Sequence, residues 1–153
     1  TRVIITEGIK SILPLHLCNL GIDVLYIPDS HKTQERIAFF KAVSADLRAG
    51  KYSVICSPEG RHEFKRSIAP MNRGVFHMAM AGECPVQLLF FDIPEESDPL
   101  EGVDLRGGTV TVRNLGRVET TDWTIEQIPD RIDEIRQRYL AAFRAANPGA
   151  VCN

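Results

Sequence analysis

The segment Ser57-Pro58-Glu59-Gly60-Arg61-His62, set directly behind the apolar run Tyr52 to Cys56, places a proline, an acid, a glycine and a base in succession. At the end of a strand, that order delivers a carboxylate and a cation to the rim of a sheet, a position suited to binding or catalysis. Pro58 fixes the chain on one side of Glu59, and Gly60 lets backbone or ligand approach closely on the other. Arg61, His62, Lys65, Arg66 and, opening the next helix, Arg73 stand close by in sequence. Guanidinium groups fork onto phosphate oxygens, and a helix N-terminus adds unpaired N–H donors, so the pattern points to a phosphate-bearing ligand. A solvated basic loop explains the same charge count, since charged loops are ordinary on surfaces. His62 has the same two readings, ligand contact near neutral pH or simple solvation.

The elements that must position these residues alternate along the chain. Val3 to Ile5 is β-branched and reads as a strand, followed by a short or Pro14-kinked helix within Ile9 to Leu20 that ends at Gly21. Val24 to Ile27 returns to strand. Asp29 or Ser30 is placed to cap a helix from about His31 to Ala49, with Ile37, Phe40, Val43 and Leu47 as its inner stripe and Gly50 as its stop. Tyr52 to Cys56 is the next strand, then a polar loop from Ser57 to Asn72 and a helix from Arg73 to Ala81. Val86 to Phe91 is nearly continuous in apolar residues, as in a strand covered on both faces. The stretch from Asp92 to Gly108 is an acidic, Pro- and Gly-containing excursion, Thr109 to Val112 alternates as a strand, and Ile132, Ile135, Tyr139 and Phe143 mark a closing amphipathic helix. The expected class is α/β: a single domain with a mostly parallel or mixed central sheet flanked by helices, functional loops lying beyond the strand ends.

With 153 residues and 44% apolar side chains, the chain suffices for one domain with a real core. A net charge of −2 supplies no global attraction to nucleic acid, which is not expected as a partner, or to anionic lipid. Cys18, Cys56, Cys84 and Cys152 form no C-x-x-C pair and no zinc spacing, which favours a reducing compartment and gives no metal site. Cys56 ends a strand without an identified base and reads as core rather than as a nucleophile. His16 and His77 read as packed histidines. No window approaches the roughly 18 to 20 apolar residues of a membrane span, and no signal-peptide pattern opens the chain. No phosphate-loop G-x-x-x-x-G-K and no G-x-G-x-x-G follows a strand.

From Val54 to Leu88 the order of residues resembles the glycerophospholipid acyltransferases of the lysophosphatidic acid acyltransferase type. Their third motif is a strand followed by F-P-E-G-T-R-S, where this chain has Cys56-Ser57-Pro58-Glu59-Gly60-Arg61-His62. A basic stretch, a P-F-K-x-G-like segment, a helix and a strand opening with V-P then follow in the family. Here Pro70-Met71-Asn72-Arg73-Gly74-Val75-Phe76 precedes Ala79-Met80-Ala81-Gly82-Glu83-Cys84-Pro85-Val86. Ala49-Gly50-Lys51 and Val110 to Gly116 resemble further family segments, so the likeness spans most of the chain.

The resemblance implies transfer of a fatty acyl group from acyl-CoA or acyl carrier protein to the hydroxyl of a lysophospholipid. It assigns Glu59 and Gly60 to the catalytic edge, with Glu59 organising the loop, and Arg61, His62, Lys65 and Arg73 to the acceptor phosphate. Glu59 and Arg61 are then expected to open toward a groove at the strand ends. No metal or tightly held cofactor is implied, and the substrate class implies contact with a membrane surface from the cytoplasmic side. The family's catalytic pair is H-x-x-x-x-D, with the histidine as general base and the aspartate orienting it. Here the fifth residues after His16, His31, His62 and His77 are Gly21, Arg36, Ser67 and Gly82. The element's expected place is upstream of Thr1, which makes residues 1–153 a domain truncated at its N-terminus. Other departures are acids at Asp23 and Asp29 where the second motif has glycine and arginine, and Leu88 where the later V-P-x-x-P has its second proline. Two alternatives remain: a relative that binds lipid phosphate without catalysis, and an unrelated α/β phosphate-binding domain.

Overall fold

The computed structural model describes residues 1–11, 21–60, 66–97 and 106–148. Its strands fall into two sheets. Strands β1 (Arg2–Thr6), β2 (Val24–Ile27) and β3 (Val54–Ile55) form a parallel sheet in the order β2-β1-β3, with Val3 opposite Val24 and Arg2 opposite Val54. β4 (Val86–Asp92) and β5 (Thr111–Val118) form an antiparallel pair in which Phe90 faces Arg113. No ladder joins β3 to β4 among the described residues. The expected mixture of helix and sheet is present, with the strands divided between two small sheets.

The helices are α1 (Thr33–Arg48), α2 (Arg73–Ala81) and α3 (Ile128–Ala146), and 3-10 turns cover Glu7–Ser11, Glu95–Ser97 and Ile125–Gln127. The helix expected within Ile9 to Leu20 begins as the first of these turns, and its remainder lies outside the described residues, as does His16. Neither Asp29 nor Ser30 caps α1. Its N-cap is Lys32, whose N–H reaches the Asp29 carbonyl at 2.9 Å while its ammonium pairs with Glu7. Ile37, expected on the inner stripe, is 56% exposed. Val43 of that stripe is buried, and Gly50 turns the chain at φ +66°, where an L side chain is strained. β5 runs beyond the expected Val112 because pairing with β4 carries it through Arg113 to Val118, past a bulge that leaves Leu115 without a partner and Gly116 at φ +101°.

Helix α2 packs against both α1 and α3, and α3 packs on the antiparallel pair. A Cβ at Gly74 would stand 2.9 Å from the Phe40 ring, so glycine permits the close approach of α1 and α2. The Ser44 hydroxyl donates to the Phe40 carbonyl at 2.8 Å and lies 3.2 Å from the Met78 carbonyl across the helix pair. A capping box between Thr124 and Gln127, followed by Pro129 in the first turn, starts α3. Its apolar stripe meets Phe76, Leu88 and Trp123 through Ile128, Ile132 and Ile135, and further along Leu140 and Phe143 meet Ile68 and Phe90. The run Val86 to Phe91 is a strand but is not covered on both faces as expected: only Leu88 and Phe90 turn into the core, and the outer face of β4 and β5 leaves Leu89, Phe91 and Val112 exposed.

Ile128 is 0% exposed and Ile125 is 63% exposed, one turn apart at the start of α3. Ile128→Ala is expected to cost about 2–5 kcal/mol by urea denaturation, because the site is enclosed by the core. Ile125→Ala is expected to change stability by about 0.5 kcal/mol or less.

Candidate active site at the end of the third strand

β3 ends at Ile55, and Cys56 and Ser57 lead into a turn at Pro58 and Glu59. One oxygen of the Glu59 carboxylate accepts the Ala69 N–H at 3.1 Å. The Glu59 carbonyl accepts the Asn72 side-chain amide at 2.6 Å, and the Pro58 carbonyl accepts the Asn72 backbone N–H at 2.8 Å. The loop is therefore closed at its base by ties that bring residues 58 and 59 against 69 and 72. Asn72 occupies the N-cap position of α2, where an asparagine would ordinarily cap the helix, yet its side chain makes no capping bond. Gly60 turns at φ +69°, and a Cβ there would lie 2.5 Å from the Asn72 amide nitrogen. Both the backbone angle and the close approach require glycine.

Behind this loop lies a cavity of about 310 Å³ between β3 and β4. That volume is near the lower end of the roughly 300–1,000 Å³ typical of small-molecule sites. It extends from Tyr52 and Pro85, before the two strands begin, to Cys56, Pro58 and Leu88 beside the Glu59 turn. Val75 of α2 and Ile135 and Tyr139 of α3 contribute further walls. Burial pushes the Cys56 thiol up to about 11, so it is protonated at neutral pH and lines the cavity as an apolar group. Burial raises the Cys84 thiol as well. The Tyr139 phenol is raised first by burial, against the opposing effect of the Leu89 backbone N–H directed at it, and Cys56 and Glu59 add to the rise.

Arg73 lines a separate cleft with Pro70, Met71, Asp133 and Arg136. The Arg136 guanidinium donates to the Ile68 carbonyl at 3.0 Å and to the Ala69 carbonyl at 3.4 Å, bracing the segment that Glu59 holds from the other side. Arg66 donates to the Ile93 carbonyl at 2.6 Å, tying the loop to the end of β4. His77 faces α1 beside Phe40 and Ser44, away from the Glu59 turn. Arg61, His62 and Lys65 lie outside the described residues. Among the described residues, Glu59, Gly60 and Arg73 thus share one loop system, with Arg73 on a different cleft from the apolar cavity. Asn72, Arg136 and Tyr139 were missed by sequence reasoning. Asn72 resembles a helix cap, and the other two sit among the helical positions of a segment remote in sequence.

No family model matches the chain, and no solved structure matches it significantly. The chain is 26% identical over 121 residues to human 1-acyl-sn-glycerol-3-phosphate acyltransferase alpha, covering 79% of this chain and 42% of that protein. The mouse protein of the same name is 26% identical over 117 residues, covering 76% and 41%, and the bovine protein is 26% identical over 121 residues, covering 79% and 42%. The chain thus spans about two fifths of the length of the curated relatives it matches. Among the described residues, no helix is long and apolar enough to cross a membrane.

Gly60→Ala is expected to cost about 1–3 kcal/mol, through strain at positive φ and displacement of the Asn72 amide from the Glu59 carbonyl. Gly107→Ala, with open space around its Cβ, is the control and is expected to be near neutral. Urea denaturation of the two variants beside the parent checks the difference.

Proposed function

We propose that this chain is an acyltransferase domain of the lysophosphatidic acid acyltransferase type, and that residues 1–153 form one domain. It takes a fatty acyl group from acyl-CoA or acyl carrier protein and delivers it to the hydroxyl of a lysophosphatidate-like acceptor at a membrane surface, on the cytoplasmic side. The observation that carries the reading is the clamped Pro58-Glu59-Gly60 turn at one end of an apolar cavity. An acyl chain suits a cavity with apolar walls such as Val54, Val75, Leu88 and Ile135, and its carbonyl would lie near the turn that Pro58 begins.

In this reading the acceptor oxygen attacks the thioester carbonyl, a C–O bond forms, the C–S bond breaks, and the hydroxyl proton ends on the departing thiol. Glu59 holds the loop rather than moving that proton, since its carboxylate accepts the Ala69 N–H. Gly60 allows the turn, and Arg73, with Arg61, Lys65 and His62, meets the acceptor phosphate. No metal or bound cofactor takes part in the proposed step. The protonated Cys56 thiol is a wall of the acyl site and not its nucleophile. Because no histidine of this chain is followed at the fifth position by an aspartate, a lipid-phosphate-binding relative without catalysis is the second reading.

Arg73→Ala is expected to weaken lysophosphatidate binding to the chain about tenfold while leaving monoacylglycerol binding within about twofold, since a phosphate contact is a charge-assisted hydrogen bond. Calorimetry with the two lipids in matched micelles checks this. Equal losses for both lipids would count against a phosphate role for Arg73. Release of CoA from palmitoyl-CoA and lysophosphatidate by the full-length protein separates the enzyme from the binding module.

A further inference from the structure

We infer that the groove between α1 and α2 is a docking site for a helix of another protein, one whose apolar face is flanked by carboxylates. The inference does not rest on the acyl-transfer reading, since neither Arg73 nor the Glu59 turn lines this groove. About 370 Å³ in volume, it has Phe40 and the buried Met78 for a floor, and exposed Ala45 of α1 and Ala81 of α2 line it from either helix. Its ionisable groups are Lys41, Arg48 and His77, and no acid lines it. α1 carries two acids, Glu35 and Asp46, and the helical repeat puts both on the side opposite Ile37, Lys41, Ser44 and Arg48. There Asp46 is bound by Lys51 and Tyr52. α2 carries no acid.

The exposure of Ile37 fits the same surface. It lies one turn before Lys41 on that stripe, so an apolar and basic face runs from residue 37 to residue 48, roughly 16 Å along the axis, the length of a short partner helix. The groove is already formed, because Gly74 lets α1 and α2 approach and the Ser44 hydroxyl reaches the Met78 carbonyl between them, so little ordering is needed on binding. Arg48 pairs with Glu83 at 2.6 Å, but both are exposed, and a pair of that kind gives way readily to a competing carboxylate. Two packed helices with small residues at the groove receive a third helix by its apolar side, and cations of one sign at the rim select for acids beside it. A lipid surface fits less well, since faces that enter a bilayer carry several large apolar side chains, whereas the exposed apolar residues of this face are Ile37, Ala45 and Ala81.

The probes are two labelled synthetic helical peptides with leucine along one face, one with glutamate and one with lysine on its flanks, and binding to the purified chain is read by fluorescence anisotropy. The parent is expected to bind the glutamate peptide about tenfold or more tighter than the lysine peptide, and the Lys41→Glu/Arg48→Glu double variant to lose or reverse that preference. Both side chains are exposed, so the variant is expected to fold. Ala45→Trp, which fills the groove without changing its charge, is expected to weaken both peptides. Vesicles of phosphatidylcholine with phosphatidylglycerol are the further probe, and the double variant is expected to bind them as the parent does. A parent that does not distinguish the peptides, a double variant that keeps the parent's preference, or loss of vesicle binding in place of a peptide preference overturns the inference, the last in favour of a lipid surface.

Discussion

The hydrogen bond from the Ala69 N–H to the Glu59 carboxylate is the tie on which the rest of the site depends. A carboxylate accepting a backbone N–H makes one of the stronger hydrogen bonds in proteins, and this one joins chain positions ten residues apart. It draws the far arm of the loop toward the end of β3. Asn72 completes the closure with one bond to each of Pro58 and Glu59, at the position from which α2 departs. Arg136 of α3 meets the Ile68 and Ala69 carbonyls from the other side, so the same short segment is held by the loop acid and by the closing helix. The turn is thereby set in relation to both helices that wall the cavity.

That arrangement explains why the division into two sheets bears on function. β3 and β4 are not joined by a ladder among the described residues, and the space between them is apolar cavity instead. Side chains from both strands and from α2 and α3 fill its walls, while the two thiols that face it are held protonated by burial. The polar turn and the apolar seam are adjacent, with Pro58 belonging to both. Tyr139 lines the seam and is shared by both parts of the core.

Much of this was legible in the sequence because the signals were local. The run Val86 to Phe91, the Arg73 to Ala81 helix and the α3 stripe at Ile132, Ile135 and Phe143 are properties of short windows, and the Pro58-Glu59-Gly60 order announced the turn. What escaped depends on tertiary packing. Ile37 carries the helical period yet faces solvent, because the period identifies a stripe without saying how far the core extends along it. Asn72 has the composition of a cap and uses its amide on the Glu59 carbonyl instead. Arg136 and Tyr139 lie more than sixty residues from the loop they serve, and no local pattern links a helix face to a distant turn.

The central claim, that the seam between β3 and β4 receives a lipid chain whose head lies at the Glu59 turn, is tested most directly by methyl NMR with a nitroxide-bearing stearoyl chain. The account predicts that the methyl signals of Val54, Val75, Leu88 and Ile135 broaden first, while those of Leu89 and Val112 on the outer face of β4 and β5 stay sharp. Broadening confined to Leu89 and Val112, with the seam methyls unchanged, would contradict it.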